Sequence, residues 1–399
     1  MPAAFTFLPQ WPWQPDLVLW AGLVLTAAGL CGEFGWRVWR VPRVTGFTVI
    51  GLIAGQAGFH LISAELASQA RLLMDMALGL LLFELGSRLS LRWIRTNPWI
   101  IATSLAESLL TFVAVLIVLR LLGVATMTSV VIAGIVMSTS PAMVIQLKTD
   151  LKSEGQVTER LVALSVMNSM LAVVIVKLAG AWAHQEFYGN LLATVIEPIY
   201  LIVGSLVLAF LLARACSWLY RAIPFQDEHS FVALLGIVLL AIAVAHLLKL
   251  STILALLAAG ILFKNLNARP QVWPPHFGSA GWVLTVTLFV LTMISFDWHY
   301  IGIGAVAALA LLVVRLLTKL AGVLVFAKPS GINFKQGVAL GLSLSPISAL
   351  AYVLVDDVYA LYPGFDPALR AIMMCAIVVM QLLAPLLVYR ALSAVSERS

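Results

Sequence analysis

Charged residues are scarce in this chain of 399 residues: they account for 11% of the sequence, whereas hydrophobic residues account for 62%. Because a soluble globular domain carries about 25% charged residues, this composition excludes a soluble protein and predicts helices that cross a membrane. The net charge of +6 is explained by basic residues beside a bilayer rather than by a nucleic-acid partner. We therefore expect the lipid bilayer to surround the chain, and no nucleic acid to bind it.

Cysteine is also scarce, and the three cysteines, Cys31, Cys216 and Cys375, are far apart in the sequence. Their spacing matches neither a disulfide framework nor a cysteine-based metal site. The sequence also has no pattern that pairs a nucleophile with a base, so we do not expect an enzyme. No cofactor and no metal site are predicted.

Long hydrophobic runs dominate instead, and about thirteen of them approach the ~20 residues that a bilayer-spanning helix needs. The connections between them are short, so we expect an all-α polytopic membrane protein with a single transmembrane domain over residues 1–399 and no soluble regulatory domain. The predicted spans are about 16–36, 43–60, 70–89, 98–120, 126–149, 158–183, 191–220, 229–248, 252–266, 279–296, 300–327, 334–357 and 367–391.

The basic residues between these spans predict an orientation. Most of them, such as Arg37, Arg88 and Lys148, fall on one set of alternate connections, whereas Arg120 and Lys249 are among the few on the other set. Basic loops stay on the cytoplasmic side, so the N-terminus is predicted outside and the C-terminus in the cytoplasm.

Two predicted spans are interrupted near their middle by polar residues and a proline, with the sequence STSP at residues 138–141 and SLSP at residues 343–346. Proline removes a backbone hydrogen bond, and within a bilayer such a break is tolerated where the freed groups meet protein, ions or water. The two broken spans run in opposite directions, as an inverted repeat requires. Paired interruptions of this kind point to the substrate site of a transporter.

Charges within the spans indicate where chemistry could occur. Glu107 and Lys319 each lie about 12–13 Å from the predicted cytoplasmic end of their spans, and Asn168 and Ser169 lie in the same layer as both breaks. An intramembrane charge is costly, so Glu107 is either a functional acid or a structural partner of Lys319 or Arg315. Arg315 lies one helical turn from Lys319. It is either part of the functional site or a structural residue that pairs with an acid or binds backbone carbonyls.

Three charges near the predicted outer surface have a simpler interpretation. The long side chain of Lys177 is expected to reach the membrane interface by itself, whereas Asp356 and Asp357 are expected to be solvated.

Four stretches resemble the membrane domain of monovalent cation:proton antiporters, most closely the Kef-type and bacterial sodium/proton branch. They are PRVTGFTVIGLIAGQAG at residues 42–58, LGLLLFELGSRL at 78–89, AGIVMSTSPAMV at 133–144 and ALLAAGILFKN at 255–265. RLLTKLAG at residues 315–322 resembles the helix of that family that carries a lysine.

The resemblance implies alternating access in a homodimer, with a core that moves against a dimerisation scaffold and crossed broken helices at the ion site. The core would comprise residues of about 98–183 and 300–391, and the scaffold those of about 16–89 and 191–296. Gly51 and Gly55, at small-xxx-small spacing, permit close helix packing that would suit such a dimer. A monovalent cation, sodium or potassium, and a proton are the expected partners, in a bacterial inner membrane. The expected ion-site residues are Thr139, Ser140, Asn168, Ser169, Ser345, Lys319 and Glu107.

The chain also departs from the family pattern. Where the antiporters carry Asn-Asp or Asp-Asp, it has Asn168-Ser169, and a serine hydroxyl does not exchange a proton at neutral pH. Weak cation:proton exchange is therefore expected unless Glu107 replaces the lost carboxylate. Two alternatives stay open: transport of an anion or organic acid on the same fold, and a homologue that does not transport.

Overall fold

The computed structural model describes residues 17–62, 71–188, 191–222, 228–267, 278–347 and 349–397. Within these residues the chain is helical and has no β-strand, which confirms the predicted all-α fold class. The helices are α1 (Leu17–Phe34, continued by the π-helical turn Gly35–Trp39), α2 (Arg43–Ala54), α3 (Arg71–Ser87), α4 (Leu91–Thr96), α5 (Pro98–Leu121), α6 (Thr126–Val136), α7 (Pro141–Asp150), α8 (Gln156–Tyr188), α9 (Leu191–Ala222), α10 (Glu228–Leu247), α11 (Thr252–Leu266), α12 (Gly278–Ile294), α13 (His299–Ala327), α14 (Phe334–Ser343), α15 (Ala349–Leu361) and α16 (Pro367–Ala394).

Seven segments of the described chain are long and apolar enough to cross a membrane, and the pair α6–α7 counts as one of them. Four shorter apolar helices, α2, α10, α11 and α12, accompany them. Each predicted span falls on one helix or on one interrupted pair, but the count of thirteen membrane crossings remains a prediction. The predicted second span was too long, because α2 ends at Ala54 and a turn follows at Gly55. Between the predicted spans, the short helix α4 was not expected.

Glycines set the closest helix contacts, and two of them correct a prediction. A Cβ added to Gly51 would lie 2.7 Å from the carbonyl oxygen of Val290, and one added to Gly55 would lie 2.5 Å from that of Ile294. Both partners belong to α12 of the same chain. The small-xxx-small spacing in α2 therefore serves packing within one molecule, which removes the sequence argument for a dimer interface there.

Helix contacts surround the two interrupted segments. Helix α13 packs against α5, α14 and α16, while α6 and α7 pack against α8. A second set of contacts joins α3 to α11, α11 to α9, and α2 to α1 and α12. Between the sets, α2 touches α7 and α16, and α3 touches α7. These pairings are the ones that a core and a scaffold would make, although that division stays a prediction.

Candidate functional site

The two breaks meet each other inside the molecule. The first lies between α6 and α7, and the second lies between α14 and α15. The backbone amide of Ser140 donates to the carbonyl oxygen of Pro346 at 2.9 Å, and the Thr139 hydroxyl donates to that of Leu344 at 3.1 Å. Ser140 also caps α7, which begins with Pro141 at its first position, where a missing amide proton costs nothing. The crossing of the helices and the inverted repeat remain predictions.

Arg315 of α13 holds both breaks through their backbone carbonyls. Its Nε donates to Val136 at 2.7 Å, and its two terminal nitrogens donate to Ser138 at 2.7 Å and to Ser345 at 2.6 Å. The carbonyls that end a helix have lost their usual partners and carry a negative partial charge, so a guanidinium with five donors suits them. Arg315 is fully buried, and its carbonyl contacts agree with the structural alternative that the sequence left open.

Glu107 and Lys319 form an ion pair beside these breaks. The Lys319 Nζ lies 2.8 Å from Glu107 Oε2 and 2.9 Å from the carbonyl oxygen of Met137, and neither charged side chain is exposed to solvent. Gly322, on the same helix as Lys319, makes the approach possible, because a Cβ there would lie 2.5 Å from the Cα of Glu107. A buried charge is tolerated when it is paired, so each residue requires the other.

Asn168 of α8 binds the second carboxylate oxygen of Glu107. Its amide nitrogen donates to Glu107 Oε1, and its side-chain oxygen accepts from the hydroxyls of Ser104 at 2.8 Å and Ser108 at 3.2 Å. Both oxygens of the carboxylate are therefore bonded, one to a cation and one to an amide. Since Ser104, Glu107 and Ser108 are three and four residues apart, they lie on one face of α5.

Ser169, the next residue on α8, is already hydrogen-bonded to the backbone. Its hydroxyl donates to the carbonyl oxygen of Ser165 at 2.7 Å and to that of Thr139 at 3.2 Å. The hydroxyls of Ser343 and Ser345, by contrast, are buried and have no hydrogen-bond partner among the described residues. They are oxygen atoms at the second break that an ion could use.

The structure brings most of the predicted ion-site residues into one network. Glu107, Lys319, Asn168, Ser169 and Thr139 are joined through the first break, whereas Ser140 and Ser345 take part through their backbone groups. The sequence argument did not include Ser104, Ser108 or the Met137 carbonyl. The two serines could have been found, because polar residues at positions 104, 107, 108 and 111 recur on one face of an otherwise apolar helix.

At the predicted outer surface, the charged residues differ from expectation. Lys177 does not reach the interface alone but pairs with Asp357 at 3.0 Å, and its side chain is largely buried. Asp356, expected to be solvated, is also largely buried and pairs with Arg370 at 3.1 Å. Both aspartates belong to α15, so the pairs tie this helix to α8 and α16.

Several known proteins resemble this chain over most of its length. The antiporter MjNhaP1 of Methanocaldococcus jannaschii, solved as a sodium proton antiporter, superposes with a TM-score of 0.70 at 17% identity, with 95% of each chain covered. Its identity is low, so this likeness shows the fold. The Na(+)/H(+)-K(+) antiporter GerN of Bacillus cereus is 23% identical over 337 residues, which cover 83% of this chain and 85% of GerN. The K(+) efflux antiporter 6 of Arabidopsis thaliana is 23% identical over 360 residues, and only 58% of its length is covered.

A family model described as "Sodium/hydrogen exchanger, transmembrane" matches residues 22–393. This confirms the resemblance that the sequence motifs indicated, and the family is one of transporters rather than enzymes. Because the match extends over nearly the whole sequence, the chain belongs to the transmembrane sodium/hydrogen exchanger family.

Proposed function

We propose that this integral membrane protein exchanges a monovalent cation, sodium or potassium, for protons as a secondary transporter. Family membership supports the reaction class, and the named relatives are antiporters of such ions. The observation that carries the proposal is the carboxylate of Glu107, buried beside two helix breaks and bonded to both Lys319 and Asn168.

The chemistry of exchange follows from what one carboxylate can hold. Glu107 can bind a proton or a cation, but not both at once, and Lys319 provides the positive charge when neither is present. Competition for the same oxygens then couples the two fluxes in opposite directions. Glu107 thus takes the place of the carboxylate that Ser169 lacks, so we expect measurable exchange rather than the weak exchange suggested by Ser169 alone.

The remaining site residues would act as oxygen ligands or hold the ligands in place. Thr139, Ser140, Asn168, Ser169 and Ser345 surround the breaks, and the Ser345 hydroxyl is buried without a partner among the described residues. Alkali cations are bound by carbonyl, hydroxyl and carboxylate oxygens that replace their hydration shell. Arg315, whose donors are directed at backbone carbonyls, would set the geometry rather than bind the ion.

Alternating access requires one part of the molecule to move against another. The core helices α5–α8 and α13–α16 would move against the scaffold helices α1–α3 and α9–α12, exposing the site to each side in turn. We further propose a homodimer in a bacterial inner membrane, with the N-terminus outside and the C-terminus in the cytoplasm. The basic connections support this orientation.

The direct test is ion flux in proteoliposomes, screened over sodium, potassium and small anions under an imposed pH gradient. We expect wild type to exchange sodium or potassium for protons, and Glu107→Gln to lose at least about tenfold in rate because a neutral amide exchanges no proton at neutral pH. Glu159→Gln is the matched control, since Glu159 is an exposed acid paired with Lys148.

Other outcomes of the same screen separate the alternatives. Anion flux without cation:proton exchange would replace the proposal with the anion transporter on this fold. If no ion moved in either direction, the chain would be a homologue without transport. Unchanged exchange in Glu107→Gln would show that another group carries the proton.

A further inference from the structure

A second charged network lies at the opposite end of α7 from the ion site. Helix α7 has ten residues, beginning with Pro141 at the first break and ending at Asp150. At 1.5 Å per residue the two ends are about 15 Å apart. The carboxylate of Asp150 is therefore a short half-helix away from Glu107 and Lys319, on the predicted cytoplasmic side. The proposed exchange at Glu107 does not use it.

Arg43 of α2 covers this carboxylate. Its Nη1 lies 3.0 Å from Asp150 Oδ1, and its Nε lies 2.9 Å from Glu33 Oε2. The guanidinium also sits over the ring of Trp36, 5.4 Å from its centroid. The side chain of Asp150 has no solvent exposure, whereas that of Arg43 is 26% exposed. The arginine thus lies between the carboxylate and the solvent.

The guanidinium of Arg43 contacts only one of the two carboxylate oxygens of Asp150. The other oxygen, Oδ2, is buried and has no partner among the described residues, while Gln146 donates to Oδ1 at 3.2 Å. On α16, the Gln381 side-chain oxygen accepts from Thr48 of α2 at 3.1 Å, yet its amide nitrogen is buried without a partner in the described part of the chain. Buried polar groups of this kind are costly and call for an explanation.

Asp150 and Arg43 border a cavity of about 390 Å³, whose lining also includes Trp36, Arg40, Lys152 and Trp282. Helices α2, α7 and α16, which carry the polar groups, contact one another. Asp150 at the cavity and Gln146, one helical turn closer to the first break, both belong to α7. They lie where the predicted scaffold meets the predicted core, which is the surface that alternating access would open.

We propose that Asp150 is an access site for the monovalent cation, and that Arg43 occupies this site in the present conformation as a tethered cation. The inference rests on the proposed function. A carboxylate oxygen without a hydrogen-bond partner suits an alkali cation, and the C-terminal end of α7 adds negative partial charge. Arg43 stays protonated at any physiological pH, so it gives up Asp150 by moving away with α2 rather than by losing a proton.

Cysteine labelling tests the opening. In a chain whose cysteines at 31, 216 and 375 are replaced by serine, Gln381→Cys places a buried thiol beside Thr48 of α2, the helix that carries Arg43. We expect Arg43→Gln to raise its labelling rate by a membrane-impermeant thiol reagent at least about tenfold, because removing the pair favours the open state. Arg37→Gln is the control, since Arg37 is 75% exposed and contacts Glu33 but not Asp150.

Equal labelling rates in Arg43→Gln and its parent would overturn the proposal, as would an equal rise in Arg37→Gln. If Arg43→Gln does not fold, Asp150→Asn removes the same ion pair with a side chain of the same shape, and the same rise is expected. The assay measures opening without requiring transport. A failed labelling prediction therefore counts against Arg43 as the closing residue, whereas absence of cation flux in wild type counts against the proposed function.

Cation binding at Asp150 has a separate readout. In Arg43→Gln, sodium or potassium chloride should raise the melting temperature more than choline chloride at equal ionic strength, since a bound ion stabilises the folded state. The double variant Arg43→Gln with Asp150→Asn should lose the part of this difference that binding at Asp150 contributes, and keep only the part due to the ion site at Glu107. If it keeps the full difference, the cation binds elsewhere and the access site is wrong.

Discussion

At the scale of single residues, Ser169 differs most from the family pattern, and its hydroxyl is bonded to backbone carbonyls. In our proposal, Glu107 of α5 supplies the carboxylate that the pattern places at this position. Lys319 is thereby paired despite the missing aspartate. The site thus contains one buried acid paired with one buried base.

If Glu107 supplies the missing carboxylate, an acid introduced at position 169 should rescue a variant that lacks Glu107. Glu107→Gln should abolish most cation:proton exchange, and adding Ser169→Asp should restore part of it, because the new carboxylate lies one residue from Asn168 and faces Thr139 beside the first break. Ser169→Asp alone should raise cation-dependent exchange above wild type. The measurement is sodium- or potassium-driven proton flux in proteoliposomes.

Ser165→Asp is the matched control for the rescue, since residue 165 is buried one helical turn away on α8. It should not restore exchange to Glu107→Gln. A double variant with Ser169→Asp that folds but stays as inactive as Glu107→Gln would mean that a carboxylate at position 169 cannot serve the site.

At the scale of elements, the interrupted helices depend on one side chain from a continuous helix. Arg315 spans carbonyls that end α6 and carbonyls that follow α14, so α13 fixes the relative position of both breaks. Prolines at 141 and 346 explain why the helices break. They do not explain why the breaks meet, which depends on the guanidinium and on the backbone contact between Ser140 and Pro346.

Replacement of this guanidinium should therefore lower the stability of the protein more than the loss of one charge would. Arg315→Lys keeps the charge but loses the planar guanidinium, whose several N–H groups reach different carbonyls. Each charge-assisted hydrogen bond that is lost is worth about 1.5–3 kcal/mol, so we expect a destabilisation of at least about 3 kcal/mol. Thermal unfolding in detergent measures it. Arg370→Lys, at a half-exposed arginine, should change the melting temperature little. Similar shifts in both variants would contradict the role given to Arg315.

The helix that carries Asn168 is held at its start by a distant acid. The Glu397 carboxylate accepts hydrogen bonds from the backbone amides of Val157 and Thr158, both at 2.8 Å, and from the Thr158 hydroxyl at 3.0 Å. It thus serves as a helix cap supplied from beyond α16. Because it is anionic, it also interacts favourably with the positive end of α8.

Loss of this cap should lower stability moderately. We expect Glu397→Ala to destabilise the protein by about 1–2 kcal/mol, the usual worth of an N-cap. The check is the melting temperature at fixed detergent and salt. Glu159→Ala, which removes an exposed acid from the first turn of the same helix, should have a smaller effect. Equal effects of the two substitutions would show that Glu397 does not act as a cap.

At the scale of the whole molecule, the chain is an integral membrane protein in which several ion pairs join different helices. The outer ion pairs Lys177–Asp357 and Arg370–Asp356 join α15 to α8 and α16. The pair Arg43–Asp150 joins α2 to α7, across the boundary between the predicted scaffold and core. In the proposed movement, pairs within the core persist while the core moves, whereas a pair across the boundary breaks.

The proposed topology and assembly are tested on the intact protein. A reporter fused to the C-terminus should be active in the cytoplasm, because basic connections stay on that side. Purified protein should have the mass of a dimer by light scattering in detergent. An exported reporter would overturn the orientation, while a monomeric mass would overturn the assembly alone. Substitutions of Gly51 or Gly55 should impair folding rather than dimerisation, since both glycines pack on α12.

The sequence by itself determined the membrane class, the broken segments and the candidate charges. Composition and the effect of proline on a helix can be read from the sequence without knowing the fold. A charge within a membrane span is costly, so Glu107 and Lys319 are candidates whichever way their side chains point. Periodicity also placed the helix bounds within a few residues, except near Gly55 and in the short helix α4, where a turn and a loop helix carry little apolar signal.

Only the tertiary structure decided which partners these residues have. Glu107 and Lys319 are separated by 212 residues, and no spacing rule relates them; their contact follows from the way α5 and α13 approach at Gly322. The same holds for Gly51 and Gly55, whose spacing suits either a dimer or an internal contact. The choice between these two contacts depends on the surface of α12. The sequence of α2 contains no information on that surface.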